Sequence, residues 1–321
     1  MNLPDYADLP NYADLPEATH GGRSAWGLFG GDDSLGLLNL ITPEITRAAA
    51  KLVLSGEVVP LNAPLELFDP PMFSRSPLTH SVIQLRGGKG LDDLYDGLNP
   101  QASSQWDSLG HVAYRDDMFY NGATLDDVLT GKRNTIDYWA RRGIATRGIL
   151  LDLQSSAATA YDPGSSHAFT VDDLERARSA AGVEYQVGDI IVLHTGFLDW
   201  YRSLSASGRQ GVSTREGLHA CGIEHTEEMA EYLWNTHAIG VVSDNPSLEV
   251  WPMDMTEESY PFGMLHQILI AQFGMGVGEL WELGALARAC ESARRSEFFI
   301  TSAPLNASQG IASPANALAI L

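Results

Sequence analysis

Between residues 145 and 305 the chain alternates short apolar runs with segments of helical spacing, and this alternation most narrows its fold. "ATRGILLDL" (145–153), "GDIIVLHTG" (188–196), "AIGVVSD" (238–244) and "EFFITSAPL" (297–305) read as strands. "TVDDLERARSAAG" (170–182), "TEEMAEYLWNTH" (226–237), "HQILIAQFG" (266–274) and "LGALARACES" (283–292) read as helices. Strands that are apolar throughout need cover on both faces, so the pattern predicts an α/β fold around a buried sheet. Upstream, Thr42 and Pro43 open a helix over 43–54 that Gly56 closes. An extended segment follows at 58–67 and a strand at 79–88, with helices at 124–129 and 134–142.

No low-complexity linker interrupts residues 20–321, so the expectation is one domain over 23–321 behind an extended arm over 1–22. The arm repeats itself, "LPDYAD" at 3–8 and "LPNYAD" at 9–14. Pro4, Pro10 and Pro16 block a continuous helix there. Two readings stand: Tyr6 and Tyr12 anchor the arm on the body or a partner subunit, or the segment is a frayed tail.

Charge excludes some functions. The chain carries 41 acidic against 20 basic residues, a net charge of −21. Such a surface repels phosphate backbones and anionic membranes, so neither is an expected partner. An anionic substrate stays possible, because a local site can oppose the global field. The two cysteines, Cys221 and Cys290, form no CxxC and are expected as apolar core residues. The N-terminus shows no basic region before an apolar run, and no stretch reaches ~18 apolar residues. A soluble cytoplasmic protein is expected.

Several polar residues fall at strand ends, where α/β folds place their chemistry. These are Asp152, then His194-Thr195-Gly196, then Ser243-Asp244-Asn245-Pro246. Asp152 also suits a turn cap, and His194 a hydrogen-bonded wall position. His266 opens a helix, and Glu279 follows in the apolar "GVGELWEL". A carboxylate there needs a partner, a metal or a solvated cleft. The stretch "SSQWDSLGHVAY" (103–114) sets Asp107 four residues before His111. It reads as a catalytic or metal-binding loop, or as a polar turn around a buried Trp106. His20, His80, His167, His219, His225 and His237 have no supporting constellation. "GGKG" at 87–90 is no phosphate loop, and neither GxSxG nor HExxH occurs, so a nucleotide site and a classical serine-hydrolase or zincin site are not expected.

Taken together, "WGLFGGDDSLGLLNLITPE", "SQWDSLGH", "RGILLDL", "GDIIVLHTGF", "SDNPSLE", "HQILIAQFGMGVGELWEL" and "EFFITSAPLNASQGIASPANALAI" resemble the cyclase superfamily of kynurenine formamidases and isatin hydrolases. The resemblance spans roughly residues 23–321. It implies a swivelling β/β/α fold with a mixed central sheet, assembly as a homodimer or homotetramer, and hydrolysis of an amide. The family signature HxGTHxDxPxH falls on Gln101 to His111. Asp107 and His111 keep their places, whereas Gln101 and Gln105 replace the first two metal-binding histidines and Leu109 the proline. His266 and Glu279 match the distal ligands.

A neutral amide oxygen is a weaker ligand than imidazole, so a two-metal site is not expected. Asp107, His266 and Glu279, with Gln105 as an oxygen donor, suffice for one divalent ion, Mn2+ or Zn2+. His111 is the expected proton shuttle and Asp107 holds the ion or orients water. Gln101, Trp106, Trp26 and Phe29 are expected to contact a flat small-molecule substrate, with core packing as the other reading of Trp106. Three functions follow: a metal-assisted hydrolase of an amide, formamide, cyclic amide or lactone; a metal-free acid/base cyclase, dehydratase or isomerase; or a non-catalytic small-molecule binder.

Overall fold

Thirteen strands form in the computed structural model, which describes residues 9–321. In chain order they are β1 (Val58–Pro60), β2 (Thr79–Leu85), β3 (Gly90–Asp96), β4 (Gln105–Asp107), β5 (Ile144–Asp152), β6 (Ala168–Phe169), β7 (Ile190–His194), β8 (Gly222–Ile223), β9 (Gly240–Ser243), β10 (Gly276–Glu279), β11 (Glu297–Ser302), β12 (Ala312–Pro314) and β13 (Ala317–Ile320). Nine of them make one mixed sheet in the order β1-β13-β11-β5-β7-β9-β10-β4-β12. The four central strands, β5, β7, β9 and β10, run parallel. The flanking strands pair antiparallel on both sides. The runs "IIVLH" and "GVVS" are buried at every position, as a covered sheet requires. The mixed α/β architecture expected from the sequence is therefore present.

The helix starts follow their caps. Thr42 Oγ1 accepts from the Ile45 amide, and Thr124 and Thr170 each form a reciprocal capping box with an Asp three residues on. Thr226 Oγ1 accepts from the Met229 amide and so caps Glu227–Asn235. Some ends differ from expectation. The first helix stops at Ala50, not near Gly56, because tight turns close its end and Arg295 binds the Leu52 carbonyl. Strand β1 is only three residues long. The helix expected over 266–274 keeps only His266–Leu269; beyond it the turns widen, with the Phe273 amide on the Ile268 carbonyl and the Met275 amide on the Leu269 carbonyl, and the Gly274 carbonyl accepts from the Leu37 amide.

The second repeat copy is docked. Tyr12 is buried, its amide donates to Asn235 Oδ1 at 2.7 Å and its hydroxyl to Glu227 Oε1 at 2.7 Å. Trp234 Nε1 donates to the Pro10 carbonyl. Tyr6 and the first copy lie outside the described residues. Strands β2 and β3 form a separate exposed hairpin. Cys221 and Cys290 are buried and free. Among the described residues, no helix is long and apolar enough to cross a membrane.

Candidate metal and catalytic site

Strand pairing builds the floor of the site. In the antiparallel β10–β4 pair, Glu279 lies opposite Gln105 and Val277 opposite Asp107. Side chains alternate along a strand, so Gln105, Asp107 and Glu279 share one face and Trp106 takes the other. Trp106 is fully buried there, edge-on to Trp139 and Trp281 at centroid distances of 5.8 and 5.0 Å. Its Nε1 donates to Ser302 Oγ. Glycine is required opposite it: a Cβ on Gly278 would stand 2.6 Å from Val242 Cγ1 and 2.8 Å from Trp281 Nε1.

The third component comes from a helix start. His266 begins the turn His266–Leu269, and its ring is held from behind by the buried Glu249. Glu249 also accepts from the backbone amides of Leu265 and His266. With Nδ1 engaged, His266 presents Nε2 forward, 3.1 Å from Glu279 Oε1. One ligand atom each from Asp107, His266 and Glu279 lies within 4.8 Å of the others. Gln105 Nε2 donates to Glu279 Oε2 at 2.6 Å and reaches Asp107 Oδ1 at 3.5 Å.

Charge in this dry floor is unevenly distributed. Burial and the Asp107 carboxylate push Glu279 up to about 7, against the pull of His266 and Arg75. Burial disfavours a charged His266, yet Glu249 and Glu279 hold it well above the ordinary imidazole value. Burial works against Glu249 too, but His225 and His266 hold it down at about 2. His225 Nε2 approaches Glu249 Oε2 to 3.1 Å.

Above the floor lies a cavity of about 420 Å³, into which His111, His266 and Glu279 open. His111 sits in the turn after β4, its Nε2 3.8 Å from Asp107 Oδ1. Desolvation lowers its pKa, with Asp107 opposing, so the ring is neutral at pH 7. The ring is still about a quarter accessible, and the cavity accounts for that access. The walls are Phe73, Trp251, Met253, Met255 and Met264, with Arg75 and Arg215 among them. Arg75 Nη1 donates to the Gln101 carbonyl.

A larger cavity of about 570 Å³ lies apart, between Val171–Ala181 and Gly284–Ala293. It contains Asp152 and His194 and none of the metal-type triad. Asp152 caps the turn Leu153–Ser156 and hydrogen-bonds His194 Nδ1 at 2.9 Å. Asp244 is also structural, accepting from the amide and hydroxyl of Thr195.

The structure thus brings Asp107, His111, His266, Glu279 and Gln105 together. The substrate contacts expected elsewhere need correction. Trp106 is core, on the wrong face of β4. Phe29 is buried in the main core, and Trp26 donates to the Ala271 carbonyl away from this cavity. Gln101 contributes its carbonyl to Arg75 and does not line the cavity. Sequence reasoning missed Glu249, Arg75 and Arg215 and set His225 aside. Glu249 alone left a trace, as a carboxylate inside the apolar "SLEVW".

A family model described as "Putative cyclase" matches residues 59–250, a span that holds β4, Asp107, His111 and Glu249. The chain belongs to the Cyclase family. A crystal structure described as a novel cyclase is 26% identical and superposes with a TM-score of 0.82, covering 93% of this chain and 99% of that one. Isatin hydrolase A from Ralstonia solanacearum is 19% identical with a TM-score of 0.57, covering 87% and 97%. An isatin hydrolase bound to the product analogue thioisatinate is 16% identical with a TM-score of 0.56, covering 88% and 99%. The two hydrolases share the fold with this chain. No curated protein matches the chain.

Proposed function

We infer that this chain is a hydrolase of a small-molecule C–N bond, in an amide, formamide or cyclic amide, or of a lactone. One observation carries the reading: Asp107, His266 and Glu279 converge within 4.8 Å beneath a cavity that His111 also lines. The isatin hydrolases of like fold support it.

The residues fit one divalent ion. Asp107 Oδ2 and Gln105 Oε1 are buried without a hydrogen-bond partner, which is costly unless something binds them. His266 has the oriented imidazole of a metal ligand, its Nδ1 held by a carboxylate. Gln105 needs only an amide rotation to exchange its donor for its acceptor. Asp107, His266 and Glu279 would hold the ion, with Gln105 Oε1 as a fourth donor; the mixed oxygen and nitrogen set suits Mn2+ or Zn2+. Bound there, the ion supplies Lewis acidity toward a carbonyl and toward water.

The chain's own groups do the rest. His111, neutral at pH 7, accepts a proton from the attacking water and returns it to the leaving nitrogen or oxygen. Asp107 stabilises the imidazolium between those two transfers. The apolar walls exclude bulk water from the floor.

A second reading has its own observation. The Gln105 amide on Glu279 and a protonated His266 between two carboxylates offset the buried charge without any ion. That favours metal-free acid/base chemistry by His111, Asp107 and Glu279. Elemental analysis of protein purified without chelator separates the two. About one Mn or Zn per chain, lost in Glu279→Ala, together with chelator-sensitive turnover of amides or lactones, supports the hydrolase. No uptake from excess Mn2+ or Zn2+ rejects it.

A further inference from the structure

We propose that the cavity above Glu279 selects a substrate with a flat apolar body and a carboxylate, the carboxylate seated against Arg75 and Arg215. This rests on reading the cavity as the substrate site and adds the class of molecule it admits.

The two arginines share the wall of one cavity, and neither is neutralised there. Acidic residues outnumber basic ones 41 to 20, and among the described residues nine of the seventeen arginines have a carboxylate within 4.0 Å. Arg115, Arg141, Arg147, Arg176, Arg178 and Arg202 are all ion-paired. Among the described residues, neither Arg75 nor Arg215 has a carboxylate within 4.0 Å, yet both line the same cavity. Asp107 and Glu279 act on Arg75 only at longer range.

Both are instead held by aromatic rings. The Arg75 guanidinium lies 4.9 Å from the Phe73 centroid. Arg215 lies 5.4 Å from Phe73 and 5.6 Å from Trp251. Those two rings meet edge-on at 5.0 Å. Stacking fixes a planar fork whose remaining N–H groups match a carboxylate. Phe73 and Ser74 adopt left-handed φ values of 58° and 56°, a strained conformation for such residues that commonly marks ligand clamps.

The remainder of the cavity suits the substrate's body. Trp251 offers a flat surface, and Met253, Met255 and Met264 offer adaptable thioethers. A volume of about 420 Å³ accommodates a one- or two-ring molecule. His111, His266 and Glu279 provide the reacting end, so the carboxylate is a handle distinct from the bond cleaved. A local pair of cations overrides the repulsion that a net charge of −21 imposes on an anion.

The test is calorimetric titration of the full chain with indole-3-acetate and indole-3-ethanol. They share a flat bicycle and differ in the carboxylate, and neither contains a bond that the inferred hydrolase would cleave. Indole-3-acetate should bind at least tenfold more tightly. That preference should survive EDTA and shrink to less than threefold in Arg215→Gln and in Arg75→Gln. Arg215 is exposed, so its variant tests the idea even if the Arg75 variant fails to fold. Equal binding of the two probes, or binding of neither, overturns the proposal. So does a preference that persists in Arg215→Gln, or one that EDTA abolishes, which would put the carboxylate on an ion. Turnover of neutral amides without carboxylate preference would sink this proposal and leave the hydrolase standing. A preference without turnover would do the reverse.

Discussion

The side-chain amide of Gln105 donates to Glu279 Oε2 at 2.6 Å, across the paired strands β4 and β10. This neutral donor also reaches toward the second carboxylate, Asp107. Gln105→His should raise zinc affinity by about tenfold or more, since imidazole is the stronger ligand. Competition against a chromogenic chelator at fixed pH measures this. Gln105→Ala should lower the stability of the metal-free protein by about 1–3 kcal/mol, the cost of leaving buried acceptors unpaired. An unchanged urea midpoint would show that the amide contributes nothing.

Glu249 is predicted to matter as much as the groups it supports. It orients His266 through Nδ1 and accepts two backbone amides. Glu249→Gln has one acceptor oxygen for these donors and no charge. Divalent affinity should fall by roughly 10–100-fold, and unfolding free energy by about 3–5 kcal/mol. Metal affinity equal to wild type would mean that His266 is oriented by something else.

Trp106 should behave as a core residue. Trp106→Ala is expected to cost about 3–5 kcal/mol in stability. Trp106→Phe keeps the packing and loses only the bond to Ser302. In that variant, ligand affinity per folded molecule should match wild type. A selective rise in KM, with stability intact, would return Trp106 to the substrate wall.

The Asp152–His194 pair predicts a pH signature in stability. Burial opposes both charges, but the hydrogen bond between them lowers Asp152 below 3.8 and raises His194 above 6.5. The Asp152 contribution is complete above pH 3.8 and fades as pH falls through its lowered value. The His194 contribution is complete below pH 6.5 and fades as pH rises through its raised value. The gap between wild type and Asp152→Asn should therefore be widest between pH 3.8 and 6.5 and narrow toward alkaline pH. Its size should be on the order of 1 kcal/mol, since screening discounts a partly exposed carboxylate. Denaturant unfolding at several pH values measures it, and a flat difference would contradict the pairing.

What the sequence made legible was local. The Thr caps, the continuous apolar strands and the Gly182 stop depend on neighbouring residues, and each stands where its chemistry put it. Asp107, His266 and Glu279 were legible because polar groups in apolar runs must be explained. The termini that shifted were decided by distant partners, as Arg295 decided the end of the first helix. Arg75 and Arg215 left no trace, because an arginine in a loop is ordinary until the fold stacks it on Phe73. Trp106 fell to the core by the parity of a three-residue strand, whose register is defined only by its pairing with β10 and β12.

That parity has an evolutionary consequence. Along β4, alternate residues serve the reactive floor while the one between them wedges the tryptophan cluster. No drift in the interior at this point can be silent at the floor, and no retuning of the floor can ignore the interior. Descendants of this chain would be expected to diversify at the cavity walls, where Phe73, Arg215 and the methionines sit on loops, and to leave the three-residue strand almost untouched.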